Sequence, residues 1–256
     1  MSAPPAPRPV TLITGASRGI GAACATAFAA AGHDLLLTYN GSPEAAEITR
    51  KACLEAAPSS KIKVVQCDVA EERQILALYA TLDADFGHLD VLVNNAGIVG
   101  PIGKLESFSA ERMDHMLRVN VLGSLLCARE AVKRMSTAQD GAGGSIVNIS
   151  SIAARIGSPF EFIDYAASKG AVDSFTLGLS KEVAPEGIRV NAVRPGLIET
   201  DIHASAGAPD RPDRLAPSVP LRRSGGAQEV AEAVLWLASP AASYVTGTLL
   251  DVGGGR

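Results

Sequence analysis

Metal-ligand spacing is missing from this chain. Its four histidines, His33, His88, His115 and His203, stand isolated, with no His-x-x-x-His pair and no Cys-His cluster. That pattern speaks against a catalytic metal. The four cysteines, Cys24, Cys53, Cys67 and Cys127, are scattered and form no C-x-x-C pair. They read as reduced, mostly buried small side chains of a cytosolic protein. No apolar run approaches the roughly 18 residues of a membrane span. The stretch from Ala3 to Pro9 is proline-rich and has no apolar core of a secretory signal. It reads as the end of a short disordered tail over residues 1–9, and the expected location is the cytoplasm. There is no excess of positive charge either. The net charge is −4, which argues against a nucleic-acid or anionic-membrane surface. A G-x-S-x-G elbow is also absent, which argues against an α/β-hydrolase.

What is present is apolar mass: 47% of the 256 residues are hydrophobic, enough for a sizeable core in one α/β domain. Short β-branched runs alternate with longer amphipathic or alanine-rich stretches. Strands are predicted at Val10 to Thr14, Leu35 to Tyr39, Ile62 to Gln66, Val91 to Val93, Ser145 to Ile149, Ile188 to Val193 and Thr248 to Asp251. Helices are predicted from the glycine-rich turn to about Ala31, from Glu44 to about Ala57, and over roughly 71–85, 110–136, 164–184 and 227–238. The last carries Val230, Val234 and Leu237 on one face. Strands apolar on both faces, each followed by a helix, predict a doubly wound parallel sheet of Rossmann type with helices on both sides. No repeat or linker divides residues 10–256, so a single dinucleotide-binding domain is expected. The connection over 197–220 holds four prolines and exceeds the usual loop length, which makes it the candidate lid.

Directly after the first strand comes TGASRGIG, Thr14 to Gly21. Glycines between a strand and a helix let the backbone approach a pyrophosphate, whose charge the helix N-terminus favours. The spacing Gly-x-x-x-Gly-x-Gly is neither G-x-G-x-x-G nor a triphosphate-binding loop, which would end in Gly-Lys-Ser/Thr. Gly15, Ser17, Arg18, Gly19, Ile20 and Gly21 are the candidate phosphate contacts. About 20 residues beyond, where an NAD-selective site places a carboxylate for the ribose 2′-hydroxyl, stand Tyr39 and Asn40. Nothing there repels a 2′-phosphate. Arg18 either pairs with that phosphate or is a solvated loop cation; the first reading predicts NADP(H) over NAD(H).

Six motifs in order carry a resemblance: TGASRGIG, NNAG (Asn94 to Gly97), Asn120 within RVNVLG, NISS (Asn148 to Ser151), YAASK (Tyr165 to Lys169) and RPG (Arg194 to Gly196). From Val10 to Gly255 the chain resembles the short-chain dehydrogenase/reductases. Within them it is similar to bacterial glucose-1-dehydrogenase-like enzymes and, more distantly, to 3-oxoacyl-carrier-protein reductases. The resemblance implies a nicotinamide-dependent oxidoreductase acting on an alcohol or carbonyl of a small molecule. It also implies adenine contacts from Asp68 and Val69, although an Asp at a strand end is equally a turn residue. Asn94, Ala96 and Gly97, at the carboxyl edge of the sheet, face the cofactor cleft; Asn94 can also serve to stabilise the loop.

Tyr165 and Lys169 lie four residues apart on a predicted helix and share a face. A tyrosine ionises near pH 10, and a neighbouring ammonium favours the phenolate, so Tyr165 can give a proton to a carbonyl oxygen or take one from an alcohol. By resemblance, Ser151 hydrogen-bonds the reacting oxygen, although Ser150 is its neighbour and the segment to Tyr165 is one residue longer than the family's common spacing. Also by resemblance, Asn120 holds a relay water between Lys169 and solvent, or bonds backbone at a helix kink. The resemblance further implies that Lys169 binds the nicotinamide ribose, that Pro195, Gly196 and Ile198 border the nicotinamide, and that Thr200 meets its carboxamide or the adjacent phosphate.

The expected substrate walls are Phe160, Glu161, Phe162, Ile163, Val99 to Ile102 and the lid. Glu161, Arg211 and Arg214 either read a polar substrate or face water. Small residues on helix 164–184 (Ala166, Ala167, Gly170, Ala171, Ser174, Gly178) and the apolar run Tyr244 to Val252 fit the homotetramers of the resembling family, or packing within one subunit. Two rival readings stand beside the carbonyl reductase. One is a 3-oxoacyl-thioester reductase, for which Arg129, Lys133 and Arg134 would form a patch for a carrier protein. The other is a non-catalytic nucleotide-sensing or scaffold protein, which the retained Tyr165 and Lys169 oppose.

Overall fold

Aliphatic runs bounded by turn residues become the strands of one parallel sheet. In a computed structural model, which describes residues 8–256, these are β1 (Val10–Ile13), β2 (Asp34–Tyr39), β3 (Ile62–Gln66), β4 (Val91–Asn94), β5 (Gly144–Ile149) and β6 (Ile188–Pro195). A two-residue β7 (Ile198–Glu199) pairs with β8 (Gly225–Gly226), and β9 (Leu249–Val252) completes the main sheet. The helices are α1 (Gly19–Ala30), α2 (Pro43–Ala56), α3 (Glu72–Asp85), α4 (Ala110–Leu117), α5 (Gly123–Met135), α6 (Ala153–Ile156), α7 (Ile163–Val183), α8 (Ile202–Ser205), α9 (Arg211–Leu215) and α10 (Ala227–Ala238). Of the tail expected over residues 1–9, residues 1–7 lie outside the described residues. Arg8 is held by Ser60 and Ser59 at 2.8 and 3.0 Å.

The strand order is β3-β2-β1-β4-β5-β6-β9, every pairing parallel. The sheet is therefore wound outward in two directions from β1 and β4. Alternate residues of each strand enter opposite layers. Leu12 and Leu36 pack with Ile75, Leu78, Tyr79 and Cys127 on one side, and Ile13, Leu35 and Leu37 pack with Cys24, Phe28, Val230 and Val234 on the other. Both layers are closed to solvent, which is why the strands read as uninterrupted apolar runs. Each such side chain contributes about 1.5–3 kcal/mol by leaving water.

One expectation is corrected. The helix expected over 110–136 is broken: residues Arg118–Leu122 form a π-helical turn between α4 and α5, centred on Asn120. Such a turn inserts one residue into the helical ladder, which the apolar spacing does not register. The segment 197–220, the candidate lid, contains β7, α8 and α9, and β7 pairs with β8.

Candidate active site

In a doubly wound sheet the crevice opens where strand order reverses, above the carboxyl ends of the strands. Here that point lies between β1 and β4. A cavity of about 640 Å³ runs over it, from Arg18, Tyr39 and Asn40 at one end to Tyr165, His203 and Arg211 at the other.

The glycine-rich turn and the loop after β4 are built against each other. Thr14 Oγ1 accepts the backbone N–H groups of Asn95 and Ala96, both at 3.0 Å. Asn95 Nδ2 donates back to the carbonyls of Thr14 (2.9 Å) and Gly15 (2.8 Å). Gly15 has φ +64°, and a Cβ there would stand 2.9 Å from the Ala96 Cα. Any other residue would carry backbone strain and a clash together. Gly15, Ser17, Arg18, Gly19 and Ile20 line the cavity, as do Tyr39, Asn40, Asp68, Val69, Ala96, Gly97, Pro195, Gly196, Ile198 and Thr200.

Gly21 and Asn94 are outside that lining. A Cβ on Gly21 would meet Asn95 Nδ2 and the Gly15 carbonyl at 2.4 Å, so its role is to let α1 start beneath the loop. Asn94, the last residue of β4, turns into the packed layer, where Nδ2 donates to Asn148 Oδ1 (3.0 Å) and the Ser124 carbonyl (3.1 Å). Asn95, which the sequence reading passed over, is the NNAG asparagine that lines the cavity. Its signal was its place one residue beyond the strand.

Asn120 is likewise buried outside the cavity wall. Its Oδ1 accepts the Ile98 N–H at 2.8 Å, and its Nδ2 donates to the Ile98 carbonyl and to Ser168 Oγ, each at 3.0 Å. The side chain thus ties the π-helical turn to the loop after β4 and to α7. It remains close to Lys169: a Cβ on Gly97 would lie 3.3 Å from Asn120 Oδ1 and 3.4 Å from Lys169 Nζ.

Tyr165 sits in the first turn of α7. The residue before it, Asp164, is buried and takes a two-pronged contact from Arg112, at 2.8 and 3.2 Å, while Asp164 Oδ1 also accepts the Tyr165 N–H at 2.9 Å. Arg112 bonds the Pro101 carbonyl and stacks 3.5 Å from the Phe108 ring centroid. This clamp fixes where α7 begins and so where the tyrosine points.

Burial raises the pKa of the Tyr165 hydroxyl, against a hydrogen bond with Ser151 and the positive charge of Arg211, which both lower it. Ser150 turns away, donating to the Lys169 carbonyl at 3.2 Å. Lys169 is 4% exposed. Its Nζ donates to the Ile149 carbonyl at 2.8 Å and lies 5.6 Å from the Tyr165 ring centroid. Burial pushes its pKa down to about 8, opposed by Asp173. The positive charge of Arg211, on α9, also lowers the Tyr165 pKa, beside the Lys169 ammonium expected to do so.

The substrate walls also differ from expectation. Phe162 and Val99 line the cavity, whereas Phe160, Ile163 and Ile102 are exposed. Phe160 leaves the wall because the turn before α7 gives it φ +66°. Arg211 reaches the cavity and pairs with Glu161 at 2.7 Å; Arg214 stays exposed beside Asp210. No metal-holding group of His, Cys, Asp or Glu occurs among the described residues, and none of their helices is long and apolar enough to cross a membrane.

The geometry defines a dinucleotide-type crevice with a tyrosine, a serine and a buried lysine at one end. A family profile described as enoyl-(acyl carrier protein) reductase matches residues 15–256. A protein of Escherichia coli strain K12 described as an uncharacterized oxidoreductase, YgfF, is 48% identical over 96% of this chain and 99% of its own length. Glucose 1-dehydrogenase 2 of Bacillus subtilis strain 168 is 35% identical over 95% of this chain and 93% of that protein. The crystal structure of a levodione reductase superposes with a TM-score of 0.90 at 34% identity, covering 96% of each chain. The chain belongs to the short-chain dehydrogenase/reductase family, nicotinamide-dependent oxidoreductases of carbonyl and alcohol groups.

The buried lysine has a consequence for stability. Its folded pKa of about 8 lies below the ordinary value of 10.5, so between those two pH values the unfolded chain binds the extra proton. Stability therefore rises with pH across that window, by up to about 1.4 kcal/mol per pH unit from this group. Urea titrations of the cofactor-free protein should show this rise in the wild type and lose it in Lys169→Met; equal slopes in both would contradict the assignment.

Proposed function

We propose that this protein is an NADP(H)-preferring oxidoreductase that interconverts a carbonyl and an alcohol. The observation that carries the reading is the convergence of Tyr165, Ser151 and Lys169 at one end of a cavity whose other end presents Arg18, with Tyr39 and Asn40 in place of a carboxylate after β2. A bound nicotinamide would supply or take up the hydride. The protein's own residues do the rest. Ser151 and Tyr165 face the same point, where a substrate oxygen can accept from both. Tyr165 gives that oxygen its proton during reduction and removes it during oxidation. Lys169, anchored on the Ile149 carbonyl, is placed to hold a ribose hydroxyl, and Asn120 beside it, its amide bonded to Ile98 and Ser168, holds the neighbouring loop and α7 in place.

The cradle suits a dinucleotide. Gly15 to Ile20 leave backbone exposed for a pyrophosphate, Asp68 and Val69 lie where an adenine would rest, and Pro195, Gly196, Ile198 and Thr200 wall the nicotinamide end. Arg18 is exposed and has no ion-pair or hydrogen-bond partner for its side chain among the described residues. This supports a role in binding a 2′-phosphate. The basic residues offered for the thioester-reductase reading are paired with acids. Arg129 pairs with Glu72 and Glu130, Lys133 with Glu130, and Arg134 with Asp83. Four free cysteines, all buried, suit a reducing compartment, and we place the enzyme in the cytoplasm.

We also propose a homotetramer. Ala167, Ser174 and Gly178 lie exposed on α7, and a Cβ on Gly170 or Gly178 would touch nothing within 4 Å. Leu177, Leu122 and Leu125 are exposed on α7, the π-helical turn and α5. This small, partly apolar surface is suited to a second copy's helices.

Three measurements test the reading. In an NADPH-oxidation screen over diketones, aldoses, quinones, steroids and acetoacetyl thioesters, Tyr165→Phe should lower turnover of any accepted substrate by about 10²–10⁴-fold; full activity in that variant would refute the mechanism. Arg18→Ala should lower the kcat/KM ratio of NADPH over NADH by about 10- to 100-fold, the worth of a charge-assisted contact, and an unchanged ratio would refute the cofactor preference. Light scattering should give a mass near four chains of 26.3 kDa; a mass of one chain would refute the assembly.

A further inference from the structure

Lys169 and Asp173 stand one helical turn apart on α7, and each is an incompletely partnered ion. Residues at i and i+4 share a helix face, with Cβ atoms roughly 5–6 Å apart. Both are buried, at 4% and 7% exposure. Lys169 donates one hydrogen bond, from Nζ to the Ile149 carbonyl, and has no direct ion pair among the described residues. Asp173 has one partner: Arg194 donates from Nε and Nη2 to the same oxygen, Oδ2, at 3.0 and 2.7 Å. The other oxygen, Oδ1, is shut from water and has no donor among the described residues. A buried charge with no counter-charge near it is driven to neutrality. Here each ion has the other, one turn away.

The surrounding fold keeps Asp173 in that place. Arg194, on β6, stands opposite Asp251 in the register with β9, and its Nη1 lies 3.5 Å from Asp251 Oδ1. Arg155 on α6 pairs with the other oxygen of Asp251. Charges therefore alternate from the cavity to the surface, through Lys169, Asp173, Arg194, Asp251 and the exposed Arg155. Because Asp251 also draws on Arg194, that arginine does not cancel Asp173 by itself.

The other charges packed around α7 are taken elsewhere. Arg112 on α4 is clamped on Asp164, and Arg118 on the π-helical turn pairs with Asp114. Those of α5 pair with one another and with α3. Glu186, past the far end of α7, bonds Ser136. Across the cavity Arg211 pairs with Glu161, and Arg18, Asp68, His115, Asp201, His203 and Arg256 also line it. The charge that opposes burial at Lys169 is that of Asp173.

We propose that Asp173 is a positioning residue, which keeps the Lys169 ammonium charged and seated on the Ile149 carbonyl, while the chain of Arg194, Asp251 and Arg155 holds Asp173 in place. This rests on the carbonyl-reductase reading of the site, in which a charged lysine favours the Tyr165 phenolate.

The test follows the Lys169 charge directly, by NMR of the full-length, cofactor-free protein carrying lysine labelled with ¹³C at Cε. The Lys169 resonance is the one missing from Lys169→Met, and its titration with pH gives a midpoint. The wild type should titrate at about 8. Asp173→Asn removes the charge but keeps an oxygen for Arg194; its midpoint should fall by about one pH unit or more, and Asp173→Glu should restore it. Asp173→Asn combined with Arg194→Gln removes the pair together and should move the midpoint the same way. An unchanged midpoint in either of these variants overturns the proposal. So does a wild-type midpoint of about 5–6, where buried lysines without a counter-charge titrate.

The second readout is kcat/KM against pH for the substrate that turns over fastest in the NADPH-oxidation screen. Loss of the ammonium lowers activity on the alkaline side. Asp173→Asn should therefore stay close to the wild type at pH 6 and fall about 5-fold below it at pH 8, for a midpoint lowered by about one unit. A rate lowered equally at both pH values means that Asp173 only holds the fold, and overturns the proposal. A protein inert towards every substrate of the screen overturns instead the carbonyl-reductase reading, while the lysine titration still decides whether Asp173 holds the charge.

Discussion

The site depends on one cross-link between two strand ends. Thr14 follows β1 and Asn95 follows β4, and four hydrogen bonds made by Thr14 Oγ1 and Asn95 Nδ2, two of them between these residues and two reaching Ala96 and Gly15, tie the glycine-rich turn to the neighbouring loop. The two strands are neighbours in the sheet although α1, β2, α2, β3 and α3 lie between them in sequence. Their helices leave in opposite directions, and the crevice between is unavoidable. The cross-link makes that crevice rigid at its floor. It also explains the small residues there, since Gly15, Gly21 and Ala96 pack at distances that leave no room for larger side chains.

A second constraint is electrostatic. Lys169 and Arg211 are each largely withdrawn from water and held by different partners, a backbone carbonyl at Ile149 and a carboxylate at Glu161, while half-buried Tyr165 has its pKa raised by burial and lowered by Ser151 and Arg211. Burial alone would neutralise the lysine and discourage the phenolate, so the site's reactivity rests on these contacts and on what binds beside them. The clamp of Arg112 on Asp164 sets the start of α7, and with it the alignment of two side chains one helical turn apart. Arg211 on α9 takes part in this balance, because its positive charge lowers the pKa of the tyrosine that α7 supplies.

Most of the sheet was legible in the sequence, because burial on both faces demands unbroken aliphatic runs, and β3 begins and ends at the residues expected from its pattern. The end helix α10 was legible too, since Val230, Val234 and Leu237 form a stripe that is fully buried. Other features carry no periodic signal. The π-helical turn at Asn120 adds one residue without disturbing composition. Asn94 and Asn95 are indistinguishable as letters, and only the alternation at the end of β4 sends the first into the layer and the second to the cavity. The lid helices are four and five residues long, too short for an apolar stripe. The placement of Arg211 beside Glu161 joins positions fifty residues apart in sequence, which no local pattern encodes.

The central claim is that this crevice, floored by the Thr14–Asn95 cross-link and ending at Tyr165, seats a nicotinamide dinucleotide. The most direct measurement is a crystal structure of the protein grown with NADP. The account predicts the pyrophosphate on the backbone of Gly15 to Ile20, the 2′-phosphate against Arg18, and the nicotinamide beside Tyr165 with the ribose on Lys169. A dinucleotide bound away from that turn, or seated there with its nicotinamide turned away from Tyr165, would contradict it.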